Sequence, residues 1–269
     1  MLEDVSEGED SPRFALAPSA PKLVSPSLTG AGEGPLAYEM KFLVSAAQAE
    51  RIQHWAKQQL GVDPYANAAR NDSYETTTLY LDTPQFSVYH RTPGFRRRKY
   101  RVRRYNTANT IFMECKIRRG DEVSKHRCSL PLEEVARFDQ PAVAVSWLGA
   151  EYHQALLERA LRPACLMTYE RSAYLSSERA GPLRLTLDRQ IRGVPCDAWN
   201  ATPLANGTPI LCDEVICELK FRDTMPLLFK QLVAEFHLEP AAVSKYRRMM
   251  AALGCLPPEG CLPEDPHHV

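Results

Sequence analysis

Lys99-Tyr100-Arg101-Val102-Arg103-Arg104-Tyr105 and, a short turn later, Ile111-Phe112-Met113-Glu114-Cys115-Lys116-Ile117-Arg118 alternate ionised with apolar side chains at a period of two. Period two is the strand signature, because successive side chains leave a strand on opposite faces. The same alternation recurs along the chain and predicts eight strands, at 38–44, 76–82, 98–105, 110–118, 123–130, 166–174, 183–188 and 214–222. Their polar faces are unusual. Glu39 and Lys41 stand on the first strand; Lys99, Arg101 and Arg103 on the third; Glu114, Lys116 and Arg118 on the fourth; Lys125 and Arg127 on the fifth. Tyr169 and Arg171 follow, then Arg184, Thr186 and Asp188, then Glu218, Lys220 and Arg222.

Two arrangements produce such faces. The charges line the solvated side of an open antiparallel sheet, or the sheet closes into a barrel that holds them inside with its apolar face outward under helices. A solvated face tolerates Ser, Asn and Gln, whereas these hold mostly Arg, Lys and Glu, which favours the barrel. The predicted fold is therefore α+β: an eight-stranded antiparallel β-barrel with a charged interior and helices packed outside. Helical patterns fill the gaps. A capping box of Ser45 and Gln48 opens a helix to about Leu60, residues 143–161 form a second, and 226–237 and 240–253 two more, the last with Pro240 in its first turn.

Residues 1–37 hold five Pro and one aromatic residue, and 254–269 hold four Pro and no Lys or Arg. Neither composition buries enough apolar surface to offset chain entropy, so a disordered N-terminal arm and C-terminal tail are expected around a domain at 38–253. The chain has 33 basic and 33 acidic residues, yet the arm carries a net −4 and the tail −3, which leaves +7 in the domain. That suits an anionic ligand. No run of about 18 apolar residues marks a membrane span. The acidic start lacks a signal-peptide core, and a cytoplasmic location is expected. The eight cysteines form no C-x-x-C pair and read as reduced core residues.

Buried like charges need a counterpart, and a polyanion with a divalent metal is one. Arg offers planar forks that fit phosphate oxygens, and Lys offers point charges. Interspersed Glu makes sense beside phosphate as a ligand for Mg²⁺ or Mn²⁺. The inventory is the one expected for phosphoryl transfer, and no Walker A or kinase-type Gly-rich loop is present. Few aromatic residues interleave with the basic ones, which disfavours nucleic acid.

Tyr-Glu-Met-Lys-Phe (38–42), Thr-Leu-Tyr-Leu-Asp-Thr (78–83), Lys-Tyr-Arg-Val-Arg-Arg-Tyr (99–105), Met-Glu-Cys-Lys (113–116), Tyr-Glu-Arg-Ser-Ala-Tyr (169–174), Arg-Leu-Thr-Leu-Asp (184–188), Cys-Glu-Leu-Lys-Phe (217–221) and Ser-Lys-Tyr (244–246) occur in this order. Together they resemble the VTC domain, the polyphosphate polymerase branch of the triphosphate tunnel metalloenzyme (CYTH-like) superfamily, in its stand-alone bacterial form. The resemblance implies a tunnel in which ATP binds with Mn²⁺ or Mg²⁺ and passes its γ-phosphate to a growing polyphosphate chain. It implies phosphate contacts from Lys41, Lys116, Arg171, Arg184 and Ser244, and catalytic roles for Arg101, Arg103, Lys220 and Lys245; the strand faces add Lys99 and Lys125 as phosphate-binding candidates, with Lys125 and Arg127 alternatively solvated charges at a strand end. Glu218 matches the metal ligand, with Glu39 and Glu114 as additional ones. Fungal members carry a further Lys where this chain has Ala242. The expected partners are ATP and inorganic polyphosphate, with a membrane protein as a conceivable partner for polymer export. Two alternatives stay open: a tripolyphosphatase or nucleoside triphosphatase on the same fold, and a non-catalytic polyphosphate-binding module.

Overall fold

The computed structural model of the chain describes residues 37–119, 122–178 and 181–256. The expected arm and tail lie outside the described residues, save for Ala37 and the three residues 254–256. In chain order the elements are β1 (Ala37–Ser45), α1 (Ala46–Gln59), β2 (Gly61–Val62), β3 (Ser73–Asp82), α2 (Ser87–His90), β4 (Arg98–Tyr105), β5 (Thr110–Arg119) and β6 (Glu122–Pro131). Then come α3 (Ala150–Glu158), β7 (Arg162–Glu178), β8 (Gly181–Pro195), β9 (Thr208–Ile210), β10 (Glu214–Phe221), α4 (Leu227–Glu235) and α5 (Lys245–Leu253). Each of the eight predicted strands is present. The two that were missed, β2 and β9, are two and three residues long, too short to show a period.

All pairings are antiparallel and run β7-β3-β4-β5-β6-β1-β10-β8, with β8 returning to pair β7. The ring has one weak seam. Among the described residues, strands β6 and β1 share only the pairs Ala37↔Val123 and Tyr38↔Glu122. Beyond them another piece of chain takes the free edge of β1: Phe42 bridges to Pro240, and the Ala241 amide donates to the Lys41 carbonyl at 2.7 Å. The barrel is thus not strictly closed by strands alone.

The faces sort as the alternation demands. Phe42, Val44, Leu185, Leu187, Cys217 and Leu219 point outward, beneath Ala49, Ile52 and Ala56 of α1 and Phe229 and Leu232 of α4. Leu79, Val102, Ile111 and Met113 point outward beneath Tyr152 and Leu156 of α3 and Tyr246, Met249 and Met250 of α5. Each Val, Leu, Ile, Phe or Met among them contributes about 1.5–3 kcal/mol by leaving water. The charged faces are left to enclose the bore, so the open-sheet alternative does not hold. Four cysteines (115, 128, 165, 217) are buried as expected, Cys196 and Cys255 are half-buried, and Cys212 is exposed; all seven described cysteines are free. Among the described residues no helix is long and apolar enough to cross a membrane.

Two helix expectations need correction. The helix expected at 143–161 is confined to α3. Gly149 precedes it, and the Trp147 ring folds so closely over this glycine that a Cβ there would lie 2.7 Å from ring carbons. The helix expected to open at Pro240 starts a turn later. Residues 240–243 run along β1 instead, and Ser244 is the N-cap, its hydroxyl accepting from the Arg247 amide at 3.4 Å. Local periodicity carries no information about the β1 edge that captures this segment. Gly254, at φ 63°, ends α5 in the left-handed conformation that glycine adopts without strain.

Candidate active site in the charged bore

Strands β1 and β10 set opposite charges directly across from one another, Glu39 beside Lys220 and Lys41 beside Glu218. Lys116, reaching over from β5, places its ammonium 2.7 and 2.6 Å from the two oxygens of Glu39. Lys41 lies 3.2 Å from Glu39 and 3.8 Å from Glu218. Burial and the neighbouring Glu39 push the Glu218 carboxyl up, but Lys41, Lys116 and Lys245 outweigh them and hold it below the usual range. Glu218 is the loosely paired carboxylate of this group.

Glu114 is placed differently. It is fully buried, and its Oε2 accepts from Arg101 Nε at 2.7 Å while its Oε1 takes Lys125 Nζ at 2.7 Å and Arg127 Nε at 2.8 Å. Arg103 stands 3.9 Å away. Burial alone would raise its carboxyl; Arg101, Lys125, Arg103 and Arg127 together keep it well below the carboxylate range. With both oxygens committed to cations, Glu114 holds the arginines in place.

A third centre is Asp188, which binds Arg171 through two bonds of 2.6 and 2.8 Å and Lys245 at 2.5 Å. The Tyr169 ring lies 5.5 Å from the Arg171 guanidinium and 5.1 Å from the Lys245 ammonium, and its hydroxyl accepts from Arg103 at 3.1 Å. Lys245 gets there because α5 starts at the end of the bore. Ser244 accepts from Lys99 at 2.9 Å, and the Lys41 ammonium donates to the Val243 carbonyl at 3.4 Å. The Tyr246 hydroxyl anchors α5 by donating to Asp82 at 2.5 Å, with its ring stacked on Tyr80 at 5.2 Å. Replacing Tyr246 with Phe is therefore expected to cost about 1.5–3 kcal/mol, the worth of a hydrogen bond to a charged group. Differential scanning calorimetry would measure it, and an unchanged melting temperature would show that the anchor does not hold.

Lys41, Lys99, Arg101, Arg103, Lys116, Lys125, Arg171, Arg184, Lys220, Lys245, Glu39 and Glu218 all border one cavity. Ser244 and Glu114 stand behind its wall, bonded to Lys99 and Arg101. Tyr105, Arg127, Tyr80 and Thr186 complete the lining. Tyr105 was missed as a site residue, although it continues the 99, 101, 103 alternation. Asp63 was also missed; it holds Arg184 at 2.9 Å from a loop with no periodic signal. The cavity volume is about 90 Å³. Arg184 Nε and Thr186 Oγ1, two residues apart on β8, are buried in this wall without a hydrogen-bond partner. A ligand with acceptor oxygens would satisfy both.

The lining is unevenly exposed, and its most exposed cations mark the mouth. The side chains of Lys125, Arg184 and Lys220 keep 32%, 33% and 36% of their surface, against 6% and 9% for Arg103 and Lys245. Crowding of cations has a titration signature. Burial, then like charge from Lys41 and Lys220, brings Lys116 down to about 8 despite Glu39. Burial, then Arg127 and Arg101, brings Lys125 down to about 7 despite Glu114. Burial would raise Tyr105, but Arg103, Arg127 and Lys125 bring it down to about 7. All three groups hold fewer protons folded than unfolded above pH 7, so stability rises with pH in that interval. The melting temperature of the ligand-free protein is expected to climb by about 2–6 °C between pH 7 and 8.5. Saturating inorganic tripolyphosphate, which would keep the lysines charged, should abolish the climb; a flat ligand-free profile would contradict the crowding.

The class the fold and site define is an antiparallel barrel whose bore is lined by Lys, Arg and two carboxylates. The family model of the VTC domain matches residues 36–254, and the chain belongs to the VTC domain family. A Bacillus halodurans structure described as a candidate adenylate cyclase superposes with a TM-score of 0.50 at 13% identity, over 78% of this chain and 94% of that one. A Vibrio parahaemolyticus structure with the same description gives 0.44 at 15%, over 81% and 99%. A Hippeastrum structure, described as a candidate adenylyl cyclase with a dominant triphosphatase activity, gives 0.46 at 11%, over 84% and 98%. At these identities the first likeness speaks for the fold alone. No curated protein matches the sequence.

Proposed function

We propose that the protein is a metal-dependent polyphosphate polymerase, a phosphotransferase that moves the γ-phosphate of ATP onto a growing polyphosphate chain. The observation that carries this reading is the lining: eleven Lys and Arg and two carboxylates converge on one enclosed space. A terminal phosphate oxygen of the chain attacks the γ-phosphorus, the bond to the β-phosphate oxygen breaks, and ADP leaves. Both reactants are polyanions, so the main task is to hold them in line and neutralise their repulsion, which forked arginines and point-charge lysines do. Arg101 and Arg103 are the inner forks. Lys220 and Arg184 stand at the mouth, and Lys245 closes the inner end.

Glu218, the loosely paired carboxylate, fits a hard divalent cation such as Mg²⁺ or Mn²⁺, which takes one or two carboxylates together with phosphate oxygens; Glu39 would have to release Lys116, which already bonds both its oxygens. The ion would add charge neutralisation on the transferred group. Glu114 does not fit that role, because both its oxygens are occupied by cations. No cluster of three His, Cys, Asp or Glu stands among the described residues, so phosphate oxygens would have to supply much of the coordination. The test is incubation with ATP and Mn²⁺ followed by gel analysis for long-chain polyphosphate. Polymer is the expected product; free phosphate without polymer would make the protein a triphosphatase, and tripolyphosphate binding without turnover a binding module.

A further inference from the structure

The mouth of the bore carries a feature that phosphate chemistry does not use. Tyr65, on the loop between β2 and β3, packs against Tyr105 of the cavity lining, with its ring 4.9 Å from Tyr105 and 6.0 Å from Tyr74. Phe112 extends the patch 5.6 Å beyond Tyr105, beneath the Arg127 guanidinium at 4.3 Å. Tyr74 and Tyr105 are buried, whereas Tyr65 keeps 37% of its surface. Its backbone is pinned, since its amide donates to Asp63 Oδ1 at 3.0 Å while the other oxygen of Asp63 holds Arg184 at 2.9 Å. A half-exposed aromatic ring thus stands beside Tyr105 of the lining, its backbone tied through Asp63 to Arg184 at the mouth.

We infer that Tyr65 is a stacking platform for the base of a nucleoside triphosphate whose phosphates extend into the bore past Arg127 and Arg184. This rests on the reading that the bore binds triphosphates and adds a second subsite to it. Stacking on an aromatic ring accepts any base through its π-face, so the platform distinguishes nucleotides from inorganic phosphate chains. It would let the mouth favour the donor, ATP, over the bare polymer. The inner lining cannot do this, because it meets only phosphate oxygens in either case.

Isothermal titration of the full-length protein with ATP and, separately, with inorganic tripolyphosphate, both with Mg²⁺, tests the inference. In Tyr65→Ala the affinity for ATP relative to tripolyphosphate is expected to fall by roughly 5- to 100-fold, the range for a lost base–aromatic stack. Tyr65→Phe, which keeps the ring, should retain the wild-type ratio and control for folding. An unchanged ratio in Tyr65→Ala would overturn the platform, whether both ligands weaken together or neither does. Wild-type binding of tripolyphosphate without ATP would overturn it too while leaving the bore's phosphate role standing. Binding of neither ligand would sink both.

Discussion

Replacement of Glu114 by Gln is expected to lower the melting temperature of the ligand-free protein by roughly 6–20 °C. The substitution keeps the shape and removes the charge that Arg101, Arg103, Lys125 and Arg127 share. Breaking a buried ion pair from one side typically costs about 3–5 kcal/mol, because the partner is left buried and uncompensated. In a domain of this size each kcal/mol moves the midpoint by about 2–4 °C. A polyanion in the bore would supply the missing negative charge, so saturating tripolyphosphate should recover more stability in the variant than in the wild type. A scan with and without the ligand reads both effects. If Glu114 were a metal ligand instead, the variant would melt like the wild type and lose only metal-dependent activity.

Arg101→Ala combined with Arg103→Ala should reduce polymer formation by about 10³-fold or more, the scale on which an arginine stabilises a transferring phosphoryl group. The fold should survive, because Glu114 keeps Lys125 and Arg127. The informative companion is the double Arg→Lys variant. It preserves charge but lacks the rigid fork, with Arg101 now donating through both Nε and Nη2 to one carboxylate oxygen at 2.7 Å. Substantial loss in the lysine variant is expected if forked geometry matters. Activity restored to near wild type would show that charge alone suffices, and near-full activity in the alanine variant would remove both arginines from the mechanism.

Much of this site was legible at the level of single strands. Period two put Lys99, Arg101 and Arg103 on one face and Tyr100 and Val102 on the other, and the structure keeps that division. Residues outside the strands were less readable. Asp63 and Tyr65 sit in a loop, where no periodicity links Asp63 to Arg184, 121 residues away, or Tyr65 to Tyr105, 40 residues away. The role of Glu114 was equally hidden. Its spacing is the same as that of Glu39 on β1 or Glu218 on β10, and only its surroundings show that cations already occupy both of its oxygens.

The amino-acid sequence by itself determined the strands, their charged faces and the basic excess of the domain, because side-chain alternation is a local property of an extended chain. It also carried the ordered motifs of the VTC domain family. Tertiary structure alone decided which charges neutralise one another, since ion pairing depends on cross-strand distances that chain separation does not encode. It likewise decided that residues 240–243 lie against β1 rather than starting a helix, and so where Ser244 and Lys245 enter the bore. An unpaired strand edge captures backbone donors from any segment that reaches it, and nothing in residues 240–243 themselves announces that the edge is there.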